Sequence, residues 1–143
     1  MDNKVFVYLV DDDDDDRDFF KEALSEIAIA NEIKEFSNGV DLMSDLLHTS
    51  EIPDVAFIDL NMPLMNGEEC IADIRAEEKF NDMPIIVYST TCDEVQNENL
   101  KRLGANRYLQ KPNTFSQLKL KLENALRLIQ DDKAERQGSF FLG

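Results

Sequence analysis

Five short apolar segments, each followed by a stretch with helical periodicity, constrain the fold of this chain more than any other feature. The clearest is Val5–Val10, a continuous run of β-branched, aromatic and aliphatic residues. Such runs are typical of strands buried on both faces of a sheet. The same reasoning predicts strands at Asn31–Phe36, Val55–Ile58, 85–88 and 106–109.

Between these strands the apolar residues recur at helical spacing. Helices are predicted around 19–27, at 39–47, after Gly67, at 93–103 and at 114–129. In the second helix, Val40, Met43 and Leu47 are expected to form the buried face. Gly104 suits a helix C-terminus, and Asn113 or Thr114 can cap the last helix.

Regular alternation of strands and helices predicts an α/β protein with a parallel sheet and helices on both faces. Because crossovers between parallel strands are right-handed, few topologies remain. We expect a doubly wound (βα)5 fold of the flavodoxin-like kind, with five parallel strands in the order 2-1-3-4-5. Residues 1–130 form one domain in this interpretation, and residues 131–143 form a tail with an unusual apolar end, Phe140, Phe141 and Leu142.

Composition excludes several classes of function. The chain has 30 acidic and 15 basic residues and a net charge of −15, which disfavours binding to DNA through the overall field. We find no apolar run long enough to span a membrane and no pattern of a signal peptide, so a cytoplasmic location is expected. Cys70 and Cys92 have no CxxC spacing and are interpreted as reduced thiols.

Chemically distinctive residues follow the predicted strands. Asp11 and Asp12 follow the first strand, Asp59 the third, Ser89 the fourth and Lys111 the fifth. In a doubly wound sheet, ligands bind beyond the carboxyl ends of the strands, where the strand order reverses. The sequence therefore predicts three carboxylates, a hydroxyl and an ammonium group at one edge.

This set favours phosphoryl transfer assisted by Mg²⁺. Neighbouring carboxylates repel one another, and a hard divalent cation with oxygen ligands relieves that repulsion. A carboxylate can attack phosphorus and form an aspartyl-phosphate. A metal, a lysine and a hydroxyl can then stabilise the charge on the phosphoryl oxygens.

The motifs that carry these residues are similar to those of response-regulator receiver domains of two-component signalling, including the stand-alone chemotaxis regulators. The matching stretches are YLVDDD (8–13), FIDLNMPLMNG (57–67), PIIVYSTT (84–91) and YLQKP (108–112), and the resemblance covers residues 4–129.

The resemblance implies a role for each residue. Asp59 matches the phosphoacceptor, and Asp12 and Asp59 match direct Mg²⁺ ligands, together with the backbone carbonyl of Asn61. Asp11 matches an acid that acts on the metal through water. Lys111 and Ser89 match the residues that contact the phosphoryl group. The remaining matches are the aromatic switch residue, Tyr108, and an accessory residue, Thr90.

The identity of one metal ligand stays open in the sequence. The acidic run continues to Asp16, so Asp13 is an alternative metal ligand to the pair Asp11 and Asp12. Asp13 to Asp16 and Asp18 are otherwise interpreted as solvated acids at a helix start, where the helix dipole favours them. The resemblance also implies a cis peptide bond between Lys111 and Pro112.

The predicted function is that of a single-domain response regulator, a signalling phosphoacceptor that catalyses its own phosphorylation and dephosphorylation and is not a metabolic enzyme. The expected partners are a sensor histidine kinase or a histidine phosphotransfer protein, and a downstream protein that binds the helix 4–strand 5–helix 5 face at 93–129. That face could also support a homodimer. The alternatives are a phosphorelay intermediate, a Mg²⁺-dependent phosphatase, which Asn61 disfavours because it cannot act as a general acid, and an unphosphorylated scaffold.

Overall fold

The computed structural model describes residues 4–90 and 93–131 and confirms the predicted alternation of strands and helices. Thr91, Cys92 and the predicted tail beyond Asp131, including its apolar end, lie outside the described residues. The strands are β1 Val5–Val10, β2 Asn31–Phe36, β3 Val55–Ile58, β4 Ile85–Ser89 and β5 Arg107–Gln110. The helices are α1 Asp14–Glu26, α2 Gly39–His48, α3 Gly67–Arg75, α4 Glu94–Leu103 and α5 Phe115–Gln130.

The five strands form one parallel sheet in the predicted order β2-β1-β3-β4-β5. The order reverses between β1 and β3, where Val10 is opposite Ile58. The residues that follow these two strands therefore lie next to each other at the carboxyl edge of the sheet. This is the position where doubly wound sheets bind their ligands.

Two hydrophobic cores cover the two faces of the sheet. Successive residues of β1 serve different cores, because side chains of a strand alternate between faces. Leu9 packs with Phe20 of α1 and Leu122 of α5, whereas Val10 packs on the opposite face with Ile71 of α3. Helices α2 and α4 also cover that second face, and Leu46 and Leu100 are fully buried there.

Side-chain caps explain where each helix begins. Asp13, Asn38, Asn66, Asp93 and Thr114 each accept a hydrogen bond from a backbone N–H of the first turn. These bonds satisfy donors that an α-helix leaves unpaired at its start. Gly104 ends α4 with a φ of 116°, which confirms its predicted role as a C-cap.

The predicted buried face of α2 is partly wrong. Val40 and Leu47 are 52% and 50% exposed, while Leu42, Met43 and Leu46 are buried. The apolar residues of this helix form one stripe, with Val40 and Leu47 at one edge and Leu42 and Leu46 at the other, so spacing alone does not show which edge is buried. Packing against the sheet buries the edge that contains Leu42 and Leu46.

Three smaller differences concern single segments. A 3₁₀ turn at Glu78–Phe80 was not predicted, and β5 begins and ends one residue later than expected. The peptide bond between Lys111 and Pro112 is trans, so the cis bond implied by the resemblance is wrong for this structure.

Cys70 is a buried free thiol, as expected. No helix in the described part of the chain has the length and apolar character to span a bilayer.

Candidate phosphoryl-acceptor site

Backbone hydrogen bonds of the sheet continue past the strand ends and fix the residues of the site. Asp59 N donates to Val10 O at 3.1 Å, and Lys111 N donates to Ser89 O at 2.8 Å. Asp11 N donates to Phe36 O at 3.1 Å. Asp11, Asp59, Ser89 and Lys111 are thus held by the same rigid sheet.

A close backbone approach fixes the turn after Asp59. Gly67 N donates to Leu60 O at 3.0 Å, and a Cβ atom on Gly67 would lie only 2.4 Å from Asp59 O. Only glycine fits between α3 and the end of β3 without a shift of the backbone. The packing of α3 therefore determines the position of Asp59.

The loop between β3 and α3 contains one strained residue. Met65 N donates to Pro63 O at 2.7 Å, and Leu64 between them has a φ of 69°, which makes a γ-turn. Leu64 is 86% exposed, whereas Met62 is buried in the core. The loop is anchored by Met62 and presents Leu64 to solvent.

Three carboxylates converge at the site. Asp11, Asp12 and Asp59 each have an oxygen within 4.8 Å of the others. Asp11 and Asp59 are buried, and Asp12 is exposed. The carboxylate of Asp13 instead accepts from Asp15 N at 2.9 Å and Asp16 N at 3.1 Å as the cap of α1. The structure therefore groups Asp12, and not Asp13, with the other two acids.

The ammonium of Lys111 neutralises part of this charge. Its Nζ lies 2.8 Å from Asp11 Oδ2, 2.9 Å from Asp16 Oδ2 and 3.8 Å from Asp59 Oδ2. It also lies 5.3 Å from the centre of the Tyr88 ring, which is a favourable position for a cation. Lys111 is thus surrounded by acceptors, and Asp59 is the most distant of the three acids.

Burial and repulsion act together on Asp59. The pKa of Asp59 is raised to about 7, chiefly because burial disfavours the charged form and also because the negative charges of Asp11 and Asp12 repel it. Lys111 and the backbone N–H of Asn61 act in the opposite direction. For Lys111, burial lowers the pKa, but the hydrogen bonds to Asp11 and Asp16 and the charge of Asp59 outweigh it, so the pKa is raised.

The predicted switch residues lie on the same side of the sheet edge. Ser89 is fully buried, and its Oγ has no hydrogen-bond partner among residues 4–90 and 93–131. The buried Tyr108 donates its hydroxyl hydrogen to Ser89 O at 3.3 Å. Thr90 is exposed, and its carbonyl accepts from Gln110 Nε2 at 2.9 Å. An unpaired buried hydroxyl is costly, so Ser89 Oγ is suited to bind a group that is absent from the free chain.

Two contacts of the site were missed in the sequence. Asp16 was interpreted as a solvated acid, but it is an ion-pair partner of Lys111. Arg17 Nη1 donates to Asp11 O at 2.6 Å, and its Nε pairs with Glu35 Oε1 at 2.9 Å. No local pattern indicated Asp16, because its partner Lys111 lies 95 residues away in the sequence.

This arrangement can be compared with known proteins. The model of the response regulator receiver domain family matches residues 7–123, which is most of the chain. The chain belongs to that family. A CheY homolog of Campylobacter jejuni, described as a chemotaxis protein, is 37% identical over 118 residues, with 82% of this chain and 89% of that protein covered.

Solved structures show the same fold for this receiver domain. The phosphorylated cyanobacterial phytochrome response regulator RcpA has a TM-score of 0.81 at 25% identity, with 90% of this chain and 96% of that chain covered. The Mn²⁺-bound form of the response regulator Rcp1 has a TM-score of 0.75 at 25% identity, with 84% and 90% covered. The chain is therefore a receiver domain of two-component signalling, with an acidic cluster that could bind a divalent metal.

Proposed function

We propose that this receiver domain accepts a phosphoryl group on Asp59 from a phosphohistidine of a sensor kinase or phosphotransfer protein. The observation that carries the proposal is the position of Asp59, a buried carboxylate 3.8 Å from the Lys111 ammonium and grouped with two further acids. An Asp59 oxygen attacks phosphorus, the P–N bond breaks, and its electron pair returns to the imidazole nitrogen.

The donor set fits Mg²⁺. Oxygen ligands from one or two carboxylates are what Mg²⁺ uses in phosphate sites, and Asp11, Asp12 and Asp59 offer such oxygens within 4.8 Å. Asp12 and Asp59 would hold the ion directly, with the Asn61 carbonyl, and Asp11 through water. When bound, the cation supplies positive charge that favours ionised carboxylates and reduces the charge on phosphoryl oxygens.

The chain's own residues then have separate tasks. Asp59 must be ionised to act as a nucleophile, and Lys111 favours that form while its ammonium offers a hydrogen bond to a phosphoryl oxygen. Ser89 Oγ, which lacks a partner among the described residues, donates a second hydrogen bond. Only 4% of the Asp59 surface is exposed, which limits its contact with water.

Ser89 also connects the site with the proposed output face. Its carbonyl accepts from both Lys111 N and Tyr108 Oη, so a shift of Ser89 toward the phosphoryl group moves the acceptor of Tyr108. Tyr108 belongs to β5, between α4 and α5. Val95 of α4 and Leu120 of α5 are 80% and 62% exposed, which supports protein contacts there.

Intact-mass measurement tests the acceptor. The protein is incubated with Mg²⁺ and either acetyl phosphate or phosphoramidate, whose P–N bond imitates phosphohistidine. We expect one phosphoryl group on the wild type, none on Asp59→Asn and none when a chelator replaces Mg²⁺. Asp73→Asn removes a similar charge from an exposed position of α3 and should behave as the wild type. An equal adduct on Asp59→Asn would refute Asp59 as the acceptor.

Nuclear magnetic resonance tests the switch. Beryllium fluoride imitates a phosphoryl group on a carboxylate, and its addition should shift resonances of Tyr108 and of residues 93–129 in the wild type. In Ser89→Ala the shifts at Asp59 should remain, while those at Tyr108 should shrink. Undiminished shifts at Tyr108 would show that the signal does not pass through the Ser89 hydroxyl.

A further inference from the structure

The contacts of Lys111 divide its three N–H donors unequally. Its Nζ donates a hydrogen bond to Asp16 Oδ2 at 2.9 Å, whereas the contact with Asp11 Oδ2 at 2.8 Å is an ion pair without hydrogen-bond geometry. Asp59 Oδ2, at 3.8 Å, is beyond hydrogen-bond distance. An ammonium has three N–H donors, so Lys111 can direct one of them toward an oxygen of a group carried by Asp59 and still keep Asp16 as a partner.

Asp11 alone is a weak anchor for this arrangement. It belongs to the cluster of Asp11, Asp12 and Asp59, so its negative charge is shared with whatever cation the cluster binds. Asp16 lies outside that cluster, and within residues 4–90 and 93–131 its ion pair is with Lys111. Of the three described acids beside Lys111, Asp16 is the one whose interaction does not compete with the proposed metal.

The backbone around Asp16 is itself fixed. Asp16 N donates to the capping carboxylate of Asp13 at 3.1 Å, in the first turn of α1. The next residue, Arg17, joins that turn to the end of β1 through Asp11 O and to β2 through Glu35. Because the backbone that carries the Asp16 carboxylate is held at the helix cap and at the sheet, Asp16 can orient Lys111. Ordering a flexible lysine side chain costs entropy, and an ion pair with a fixed partner offsets that cost.

We propose that Asp16 is a positioning residue that holds the Lys111 ammonium at the distance a phosphoryl oxygen on Asp59 requires. This inference rests on the proposed function, since it needs a phosphoryl group on Asp59. It assigns a task to an acid that the sequence pattern groups with solvated helix-start residues. Asp16 acts through Lys111 and does not contact the reacting atoms.

The test compares Asp16→Asn with Asp15→Asn, which removes the same charge from an exposed neighbour in the same helical turn. The phosphorylation rate with acetyl phosphate is measured at saturating Mg²⁺, together with the Mg²⁺ dissociation constant. We expect Asp16→Asn to slow phosphorylation about threefold to fivefold relative to Asp15→Asn, a size typical of a partly exposed ion pair. The dissociation constants of the two variants should agree within a factor of two.

Two further variants separate positioning from a general effect on the fold. In a Lys111→Ala background, adding Asp16→Asn should leave the residual rate unchanged, because the residue through which Asp16 acts is gone. Asp16→Glu, which keeps the carboxylate, should restore at least half of the wild-type rate. Equal rates for Asp16→Asn and Asp15→Asn, or the same slowing without Lys111, would overturn the proposal. Absence of any adduct on the wild type would instead refute the proposed function.

Discussion

Two shielded cations lie at opposite edges of the sheet, and their partners differ. At the edge where β4 and β5 begin, Arg75 donates to Gly104 O, Phe80 O, Met83 O and Asn106 Oδ1 at 2.6–3.0 Å. All four acceptors are neutral. At the carboxyl edge, Lys111 is surrounded by the carboxylates of Asp11, Asp16 and Asp59.

The difference separates a stabilising cluster from a reactive one. Arg75 supplies a donor to Gly104 O and Met83 O and a second donor to Phe80 O and Asn106 Oδ1, so the cluster connects α3, the 3₁₀ turn and the start of β5. Beside Lys111, the Ser89 hydroxyl has no hydrogen-bond partner in the part of the chain that the structure describes, and the pKa of Asp59 is raised to about 7. Such groups are costly in a resting fold and are typical of sites that await a ligand.

Removing Arg75 should give the largest loss of stability. Arg75→Ala removes four hydrogen bonds that connect these segments and is expected to lower the free energy of unfolding by about 3 kcal/mol in urea denaturation. Arg102→Ala, at an exposed position of α4, should cost less than about 0.5 kcal/mol. Equal stability of the two variants would show that the contacts of Arg75 do not stabilise the fold.

A side chain at Gly67 should disturb both stability and the site. Gly67→Ala places a methyl group against Asp59 O and should lower the free energy of unfolding by about 2 kcal/mol. Because the added methyl group must displace the backbone of Asp59, the formation of the phosphoryl adduct from acetyl phosphate should also slow. Glu68→Ala, one residue later, is the control, and an equal effect there would contradict the argument from close packing.

The ionisation of Asp59 should make stability depend on pH in metal-free buffer with a chelator. Its pKa is raised from 3.8 to about 7 in the folded state, so protonation favours folding. That contribution is fully present below about pH 4 and is lost as the pH rises through 7. Asp59→Asn, which is always neutral, should therefore be more stable than the wild type by roughly 2 kcal/mol at pH 8, and by much less at pH 5.

Chemical denaturation at pH 5 and pH 8 measures whether Asp59→Asn gains more stability at the higher pH. Asp73→Asn serves as the control because it removes a similar charge from the surface. A gain for Asp59→Asn that is equal at pH 5 and pH 8 would mean that the buried charge is not what destabilises this edge.

The smallest expected effect concerns competition between Lys111 and Mg²⁺. Both are attracted to Asp11, so Lys111→Met should tighten Mg²⁺ binding about threefold in calorimetry. Lys119→Met removes an exposed pair with Glu26 and should leave the affinity unchanged. Weaker binding in Lys111→Met would show that Lys111 organises the acids more than it competes for them.

Much of the architecture could be predicted because the apolar runs are short, regular and separated by clear turn residues. Val5–Val10 and Val55–Ile58 have the predicted bounds, and the observed strand order is the one expected among the few topologies that right-handed crossovers leave. The buried face of α2 could not be predicted in full, because Val40 and Leu42 lie at opposite edges of one apolar stripe and the spacing does not show which edge is buried. The choice of Leu42 over Val40 depends on contact with the sheet.

The sequence by itself determined which chemical groups follow which strands, since strand ends are local features and parallel strands bring their carboxyl ends together. It thereby grouped Asp11, Asp12, Asp59, Ser89 and Lys111. The tertiary structure alone decided how these groups are paired. It made Asp13 a helix cap, brought Asp16 to Lys111 and left Ser89 Oγ without a partner among the described residues. The physical reason is that ion pairs and burial depend on distances of a few ångströms between segments far apart in the chain, which no local pattern encodes.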